Sequence, residues 1–244
     1  MFSALNQNIG VQVHGVDLAM PISPPSYRQI HEALVEHSIL LFRDQDITPE
    51  QHIAFSRCFG DLEEHVVTQF LLPGHPEILV ISNVVENGRH IGAYGGAKHF
   101  HSDLSYKPEP SLGSLFYCRE CPPQGGETEF SSMYAAYDSL PPERQRWLES
   151  QRGVHNYIYH YETFLSHRDP LTDEQKAKLP PTSHPAVRTH PETGRKAIFV
   201  SQALTSHFEG LEIEESRRII KELTNFATQS QFVYRHKWRP GDLM

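Results

Sequence analysis

The apolar positions of this chain come in short bursts separated by polar and turn-forming residues. Ser23-Pro24-Pro25, with Ile30 and Leu34 on one face behind them, predicts a helix capped by serine and opened by prolines. Ser38-Ile-Leu-Leu-Phe-Arg43 is a compact apolar run, the pattern of a buried strand. Thr48-Pro49-Glu50-Gln51 predicts a second helix start, with threonine as cap and glutamine three residues on. Ile53, Phe55 and Phe59 follow, and Gly60 is read as the stop. Glu77-Ile-Leu-Val-Ile-Ser82, Ser114-Leu-Phe-Tyr-Cys118 and Glu127-Thr-Glu-Phe130 read as further strands, the last two separated by the loop Pro122-Pro123-Gln124-Gly125-Gly126. A helical stretch over 132–150 is interrupted at Pro141-Pro142. Val187-Arg-Thr189 and Lys196-Ala-Ile-Phe-Val200 flank the turn-rich His190-Pro-Glu-Thr-Gly194, which predicts a hairpin. Glu214 to Thr228 is a helix with Ile219, Ile220, Leu223 and Phe226 as its stripe, and Phe232-Val-Tyr-Arg-His236 is a final strand. Many short strands with peripheral helices point to a mainly β protein, a barrel or jelly roll, over a doubly wound sheet.

Composition narrows the function classes. With 244 residues, 38% hydrophobic and 21% charged, the chain suits one globular domain over 1–244. A net charge of −8 weighs against nucleic acid or an anionic membrane as partner. No apolar run approaches the roughly 18 residues of a spanning helix. Nothing at the start resembles a secretory leader, and three cysteines are too few for a disulfide framework, so a cytoplasmic location is expected. Gly-x-Gly-x-x-Gly, Walker-type and Gly-x-Ser-x-Gly patterns are all missing, which leaves nucleotide-binding and serine-hydrolase readings without their signatures.

The unusual residue is histidine, present 16 times. In Lys98-His99-Phe100-His101-Ser102-Asp103, a strand would send His101 and Asp103 to one face, with His99 as a further candidate. An imidazole and a carboxylate from one strand, plus a distant histidine, make the facial triad of non-haem Fe(II) oxygenases. On its own His-x-Asp is short enough to arise by chance. Cys118-Arg-Glu-Cys121 has no second pair for a zinc ribbon and no helix start for thiol exchange, so it reads as two ordinary thiols. His155 and His160 are not at helical metal-pair spacing, and His31, His37 and His52 have no acidic partner at ligand spacing.

Context gives the short motif its weight. His101-Ser-Asp103, Gly125-Gly-Glu-Thr128 and His184-Pro-Ala-Val-Arg-Thr-His-Pro-Glu-Thr-Gly-Arg195 follow one another in order. With Ile9-Gly-Val-Gln-Val-His-Gly-Val-Asp-Leu18, Leu41-Phe-Arg-Asp-Gln45, Phe59-Gly-Asp-Leu62, Ile81-Ser-Asn83, Tyr234-Arg-His-Lys-Trp238 and Gly241-Asp-Leu243, almost the whole chain resembles one family. That family is the Fe(II)/2-oxoglutarate-dependent dioxygenases of the taurine dioxygenase and 2,4-dichlorophenoxyacetate dioxygenase type. The resemblance implies a double-stranded β-helix with helices on one side, and commonly a homo-oligomer. It implies that His101 and Asp103 bind ferrous iron, and that the Thr128 hydroxyl contacts a carboxylate of 2-oxoglutarate. It implies hydroxylation of a small anionic substrate with dioxygen, yielding succinate and carbon dioxide.

For the substrate, His65 matches the sulfonate-binding histidine of taurine dioxygenases and Tyr157 an aromatic contact, whereas Ala97 replaces a substrate-contacting asparagine. Ile81-Ser-Asn-Val-Val-Glu-Asn-Gly88 and Ser206-His-Phe-Glu-Gly-Leu211 look closer to the aryloxyalkanoate branch, and Lys98 and His207 are candidate anion contacts. Both a taurine or alkylsulfonate and an aryloxyalkanoate substrate therefore stand as expectations. The family's third iron ligand and its 2-oxoglutarate arginine are expected beyond Met244, so the domain is expected to lack its C-terminal core strand. The alternative function is a catalytically inactive jelly-roll protein that binds a ligand or partner.

Overall fold

A computed structural model describes residues 1–95 and 98–244. Ala97 therefore lies outside the described residues. The chain opens with β1 (Phe2–Ala4) and β2 (Val11–Val13), then α1 (Pro24–His37), β3 (Leu40–Phe42) and α2 (Pro49–Ser56). Local chemistry explains both helices. The Ser23 side chain accepts from the backbone of Ser26, and Thr48 and Gln51 form a reciprocal capping box. α2 stops at Ser56, ahead of the expected Gly60. Two hairpins follow: β4 (Leu71–Leu72) with β5 (His75–Leu79), and β6 (Val85–Glu86) with β7 (Arg89–His90).

β1, β2 and β3 form a sheet with a parallel β2–β3 pair. The last residues extend it. Leu243 bridges antiparallel to Phe42 on one side and to Tyr117 on the other. Around it, Phe42 and Leu243 exchange both backbone hydrogen bonds, as do Phe116 and Met244. The expected strand 114–118 is thus extended chain held by this pairing, without a ladder of its own among the described residues. Val11, Val13, Leu40, Phe42 and Leu243 pack with Ile30 of α1 and Phe55 of α2 into one core cluster.

The second half begins with β8 (Thr128–Ser131), α3 (Met133–Asp138), α4 (Pro142–Glu149), β9 (Arg152–His155), α5 (Tyr157–Phe164) and α6 (Asp173–Ala177). It ends with β10 (Thr182–Pro185), β11 (Val187–Thr189), β12 (Lys196–Ile198), β13 (Thr205–Phe208), α7 (Ile213–Ala227) and β14 (Val233–His236). The break at Pro141-Pro142 and the β11–β12 hairpin stand where their punctuation puts them. β9 is the centre of a sheet ordered β10–β9–β13, and β14 pairs with β8 so that His236 faces Thr128. α7 buries Ile219, Ile220 and Leu223 on Phe208, Ile198 and Leu148, with Phe226 at the margin. Gly153 of β9 lets β13 approach, since a Cβ there would stand 2.9 Å from the Thr205 methyl. A third cluster gathers Tyr106, Tyr157, Tyr161, Leu165 and Leu204. Among the described residues, no helix is long and apolar enough to cross a membrane.

Candidate functional site

His101 and Asp103 do converge, though not as a strand would bring them together. The segment is a turn: Ser105 N–H donates to the Ser102 carbonyl, and Leu104 takes a left-handed φ of 52°. A polar run with no ladder partner folds back on itself, and that aims both side chains at one point. His101 Nε2 lies 3.2 Å from Asp103 Oδ1. His101 Nδ1 lies 2.8 Å from the His99 carbonyl, which can only accept, so Nδ1 carries the proton. Nε2 then faces the carboxylate with either a second proton or a lone pair for a cation. The Ser114 hydroxyl donates to the other carboxylate oxygen at 2.6 Å and fixes its plane. The hydrogen bond with Asp103 holds the imidazole above its usual pKa, and the same bond holds the carboxylate below its own. Neighbours crowd both groups, yet the side chains remain 28% and 55% exposed, so the pair sits in an open-mouthed recess.

This donor set suits a divalent metal. Two ligands on orthogonal axes at about 2.1 Å would lie roughly 3 Å apart. The spacing of Nε2 and Oδ1 matches that, and each group already has the supporting hydrogen bond that orients metal ligands. Among the described residues, no group of three His, Cys, Asp or Glu side chains could hold a metal. The pair supplies two corners of a facial site.

Around the pair stand residues from distant loops. The His65 ring lies 6.1 Å from that of Tyr157, and its Nδ1 accepts from the Val67 backbone. Burial lowers the His65 pKa, opposed by the charge of Asp103. Tyr157 stacks obliquely on Tyr106 at 4.7 Å, and burial pushes its phenol up to about 12. Among the described residues, neither Lys98 nor His207 is hydrogen-bonded to the His101–Asp103 pair. Lys98 is exposed, and His207 lies on β13 with Nδ1 against the neighbouring Ser206 hydroxyl. Sequence spacing overlooked Arg168, whose charge is felt at His65, Tyr157 and His160 while Nε donates to the Tyr94 carbonyl at 2.9 Å. His160, which has no helical metal-pair spacing, places its ring 6.4 Å from that of His101. Neither the helical position of His160 nor the place of Arg168 in the bend after α5 gave a hint.

Behind His101 is a cavity of about 200 Å³ walled by Phe100, Ser105, Phe130, His155 and Phe199. Phe130 belongs to β8, the strand opened by Thr128. Thr128 follows Gly125 and Gly126, both left-handed with φ of 80° and 76°. Close approach does not explain Gly125, where a Cβ would meet nothing within 4 Å; the backbone conformation does.

His155 illustrates how far burial can move a histidine. It is 2% exposed, its Nε2 donates to the Phe199 carbonyl at 3.2 Å, and Nδ1 accepts from Ser105 at 3.0 Å. The ring is therefore neutral, and burial pushes its pKa down to about 4. Unfolded, it would titrate near 6.5. Between those values the unfolded chain binds the extra proton, so stability falls as pH drops from about 6.5 towards 4, by up to about 3 kcal/mol in total. His160, also pushed down to about 4 by burial, adds in the same direction. Melting temperatures from pH 7.5 to 4.5 should decline, and His155→Gln should flatten that decline. An unchanged slope in the variant would refute the assignment.

Comparison with known proteins bears on this geometry. The model of the family described as Taurine catabolism dioxygenase TauD, TfdA family matches residues 2–244. The chain belongs to the TauD/TfdA dioxygenase family. It is 37% identical over 242 residues to the alpha-ketoglutarate-dependent 2,4-dichlorophenoxyacetate dioxygenase of Cupriavidus pinatubonensis, covering 95% of this chain and 83% of that one. It is 34% identical over 249 residues to pentalenolactone F synthase of Streptomyces arenae, covering 97% and 83%. Among solved structures, AAD-2 in complex with Mn(II) and N-oxalylglycine superposes with a TM-score of 0.80 at 32% identity, over 100% of this chain and 85% of that one. The mixed strand-and-helix architecture is thus that of the TauD-type dioxygenases. As a TauD/TfdA member the protein is a 2-oxoglutarate-dependent dioxygenase, and the chemistry of its family takes Fe(II) and 2-oxoglutarate.

Proposed function

We propose that this chain is a single jelly-roll domain that hydroxylates a small organic acid of the aryloxyalkanoate or alkylsulfonate type, releasing succinate and carbon dioxide. The observation that carries this reading is the His101–Asp103 pair, pre-set by His99 and Ser114 with a spacing that suits one cation. His101 Nε2 and Asp103 Oδ1 would hold the iron. When bound, ferrous iron and 2-oxoglutarate supply the oxidant that inserts one atom of dioxygen into a substrate C–H bond. The protein's own part is geometric. His99 keeps the proton on Nδ1, so that Nε2 is free to ligate once its second proton has left. Ser114 keeps Asp103 from swinging away, and Thr128 donates its hydroxyl proton to a 2-oxoglutarate carboxylate. The buried Tyr157 and Tyr106 back the half-buried His65 ring into an aromatic wall near Asp103, and Arg168 adds positive charge for an anionic group. That wall, and the dichlorophenoxyacetate name of a 37% identical relative, favour the aryloxyalkanoate class. The relative that binds Mn(II) and N-oxalylglycine supports the cosubstrate assignment.

The test is direct. Anaerobic addition of Fe(II) and 2-oxoglutarate should produce the visible charge-transfer absorption of the chelate. Aryloxyacetates should then drive succinate formation faster than taurine does. The oxygenase reading fails if the whole protein shows no such band and forms no succinate with any aryloxyacid or sulfonate. In that case the inactive binding protein becomes the better account. Faster turnover of taurine would overturn only the substrate class.

A further inference from the structure

Trp238 lies two residues beyond β14 and reaches diagonally across the β14–β8 pair. Its Nε1 donates to Thr128 Oγ1 at 2.8 Å. An indole N–H can only donate, whereas a hydroxyl has one proton and two lone pairs. The bond therefore fixes which way the hydroxyl is used: oxygen towards Trp238, proton away from it. Among the described residues, nothing accepts that proton. A carboxylate, which can only accept, is its natural partner, and a neutral donor is not.

The indole is itself held. Its ring meets Phe116 edge to face at 4.8 Å and His236 at 4.5 Å, with interplanar angles of 65° and 83°. The Cys121 thiol donates to the Trp238 carbonyl at 3.4 Å. His236 cannot turn, because its Nδ1 accepts from Tyr234 Oη at 2.9 Å and its Nε2 donates to Asp242 at 3.1 Å. Rings and hydrogen bonds thus pin Trp238 in the one orientation that serves Thr128.

We propose that Trp238 is a positioning residue for cosubstrate binding: its indole N–H makes the Thr128 hydroxyl a committed donor to the 2-oxoglutarate carboxylate. This rests on the reading that Thr128 contacts 2-oxoglutarate. The role is distinct from packing, because only the N–H sets the polarity of the hydroxyl, while the ring fills the space between Phe116 and His236.

The experiment is a double-mutant cycle read by calorimetric titration of 2-oxoglutarate into the full-length, Mn(II)-loaded protein. Trp238→Phe keeps an aromatic ring and removes the N–H. It should weaken 2-oxoglutarate binding about three- to tenfold, the usual effect of one hydrogen bond. In turnover assays it should raise KM for 2-oxoglutarate while leaving kcat at saturation nearly unchanged. Thr128→Val should weaken binding by about tenfold or more, since a charge-assisted bond is lost. In the Thr128→Val background, Trp238→Phe should have no further effect, because the two residues act as one unit. Replacing Trp238 by benzothienylalanine keeps the ring shape without the N–H, and serves if Trp238→Phe fails to fold. Unchanged affinity in the Trp238 variants, with Thr128→Val weakened, would overturn the proposal and leave Thr128 in place. An equal loss from Trp238→Phe in both backgrounds would also overturn it, since the residue would then act through packing. Unchanged affinity in Thr128→Val would remove Thr128 from the cosubstrate site and the proposal with it.

Discussion

Asp103→Ala should abolish the charge-transfer band formed with Fe(II) and 2-oxoglutarate and lower turnover by more than about a hundredfold. The floor for that estimate comes from outer partners of metal ligands, whose loss alone typically costs about 10- to 100-fold. Removal of a ligand should exceed it. The carboxylate faces His101 Nε2 at 3.2 Å, and nothing else among the described residues presents a carboxylate to that nitrogen. Ser114→Ala keeps the ligand but frees Oδ2 from its 2.6 Å hydrogen bond, so metal affinity should fall about tenfold with the band retained. Stability is the control. The Asp103 side chain is 55% exposed, so Asp103→Ala should change the unfolding free energy by about 0.5 kcal/mol or less. A variant that folds, shows the band and turns over at the original rate would remove Asp103 from the metal site.

The largest expected loss of stability lies elsewhere, at Asp242. This carboxylate is fully buried and takes three donors on one oxygen: Arg43 Nη1 at 2.5 Å, the Arg239 backbone at 2.8 Å and His236 Nε2 at 3.1 Å. Its other oxygen, Oδ1, is buried with no hydrogen-bond partner among the described residues. Asp242→Ala would strand the Arg43 guanidinium, 18% exposed, and the His236 N–H. Breaking a buried ion pair from one side costs about 3–5 kcal/mol. For a domain of this size that lowers the melting temperature by roughly 6–20 °C. The double variant Arg43→Met with Asp242→Leu should recover part of the loss, because it removes both charges together. Calorimetry decides the matter: a fall of less than about 1 kcal/mol in Asp242→Ala would mean that solvent reaches Arg43 freely.

What could be read from the chain depended on how local each signal was. The Ser23 and Thr48 caps, the Pro141-Pro142 break and the β11–β12 hairpin are written within a few adjacent residues, and the structure forms them there. β9, β10 and β13 are four residues each and carry polar side chains that face buried neighbours, so no alternation marks them. At the site, the spacing of two between His101 and Asp103 anticipated their meeting, but for the wrong geometric reason, since a turn brings them together. His65 and Tyr157 meet through tertiary packing that an aligned family pattern can suggest and periodicity cannot. His155 and His160 lack helical metal-pair spacing, yet one lines the cavity and the other stands beside His101. Their environments come from Ser105, the Phe199 carbonyl just past β12 and the Ala203 carbonyl, which no motif joins.

The pairing of Leu243 between Phe42 and Tyr117 also bears on how the protein is made. Arg43 and Asp242, which lock that junction, are 199 positions apart. At about 5–20 residues per second, a ribosome needs roughly 10–40 seconds to travel from one to the other. Through that interval β3 waits with unmatched amides on one edge, joined part-way by the strand-like segment at 116–118. The N-terminal third therefore cannot complete its sheet during its own synthesis. Folding of this sheet should be slowed by distant contacts, and the nascent chain should be most prone to aggregation just before residues 241–244 emerge.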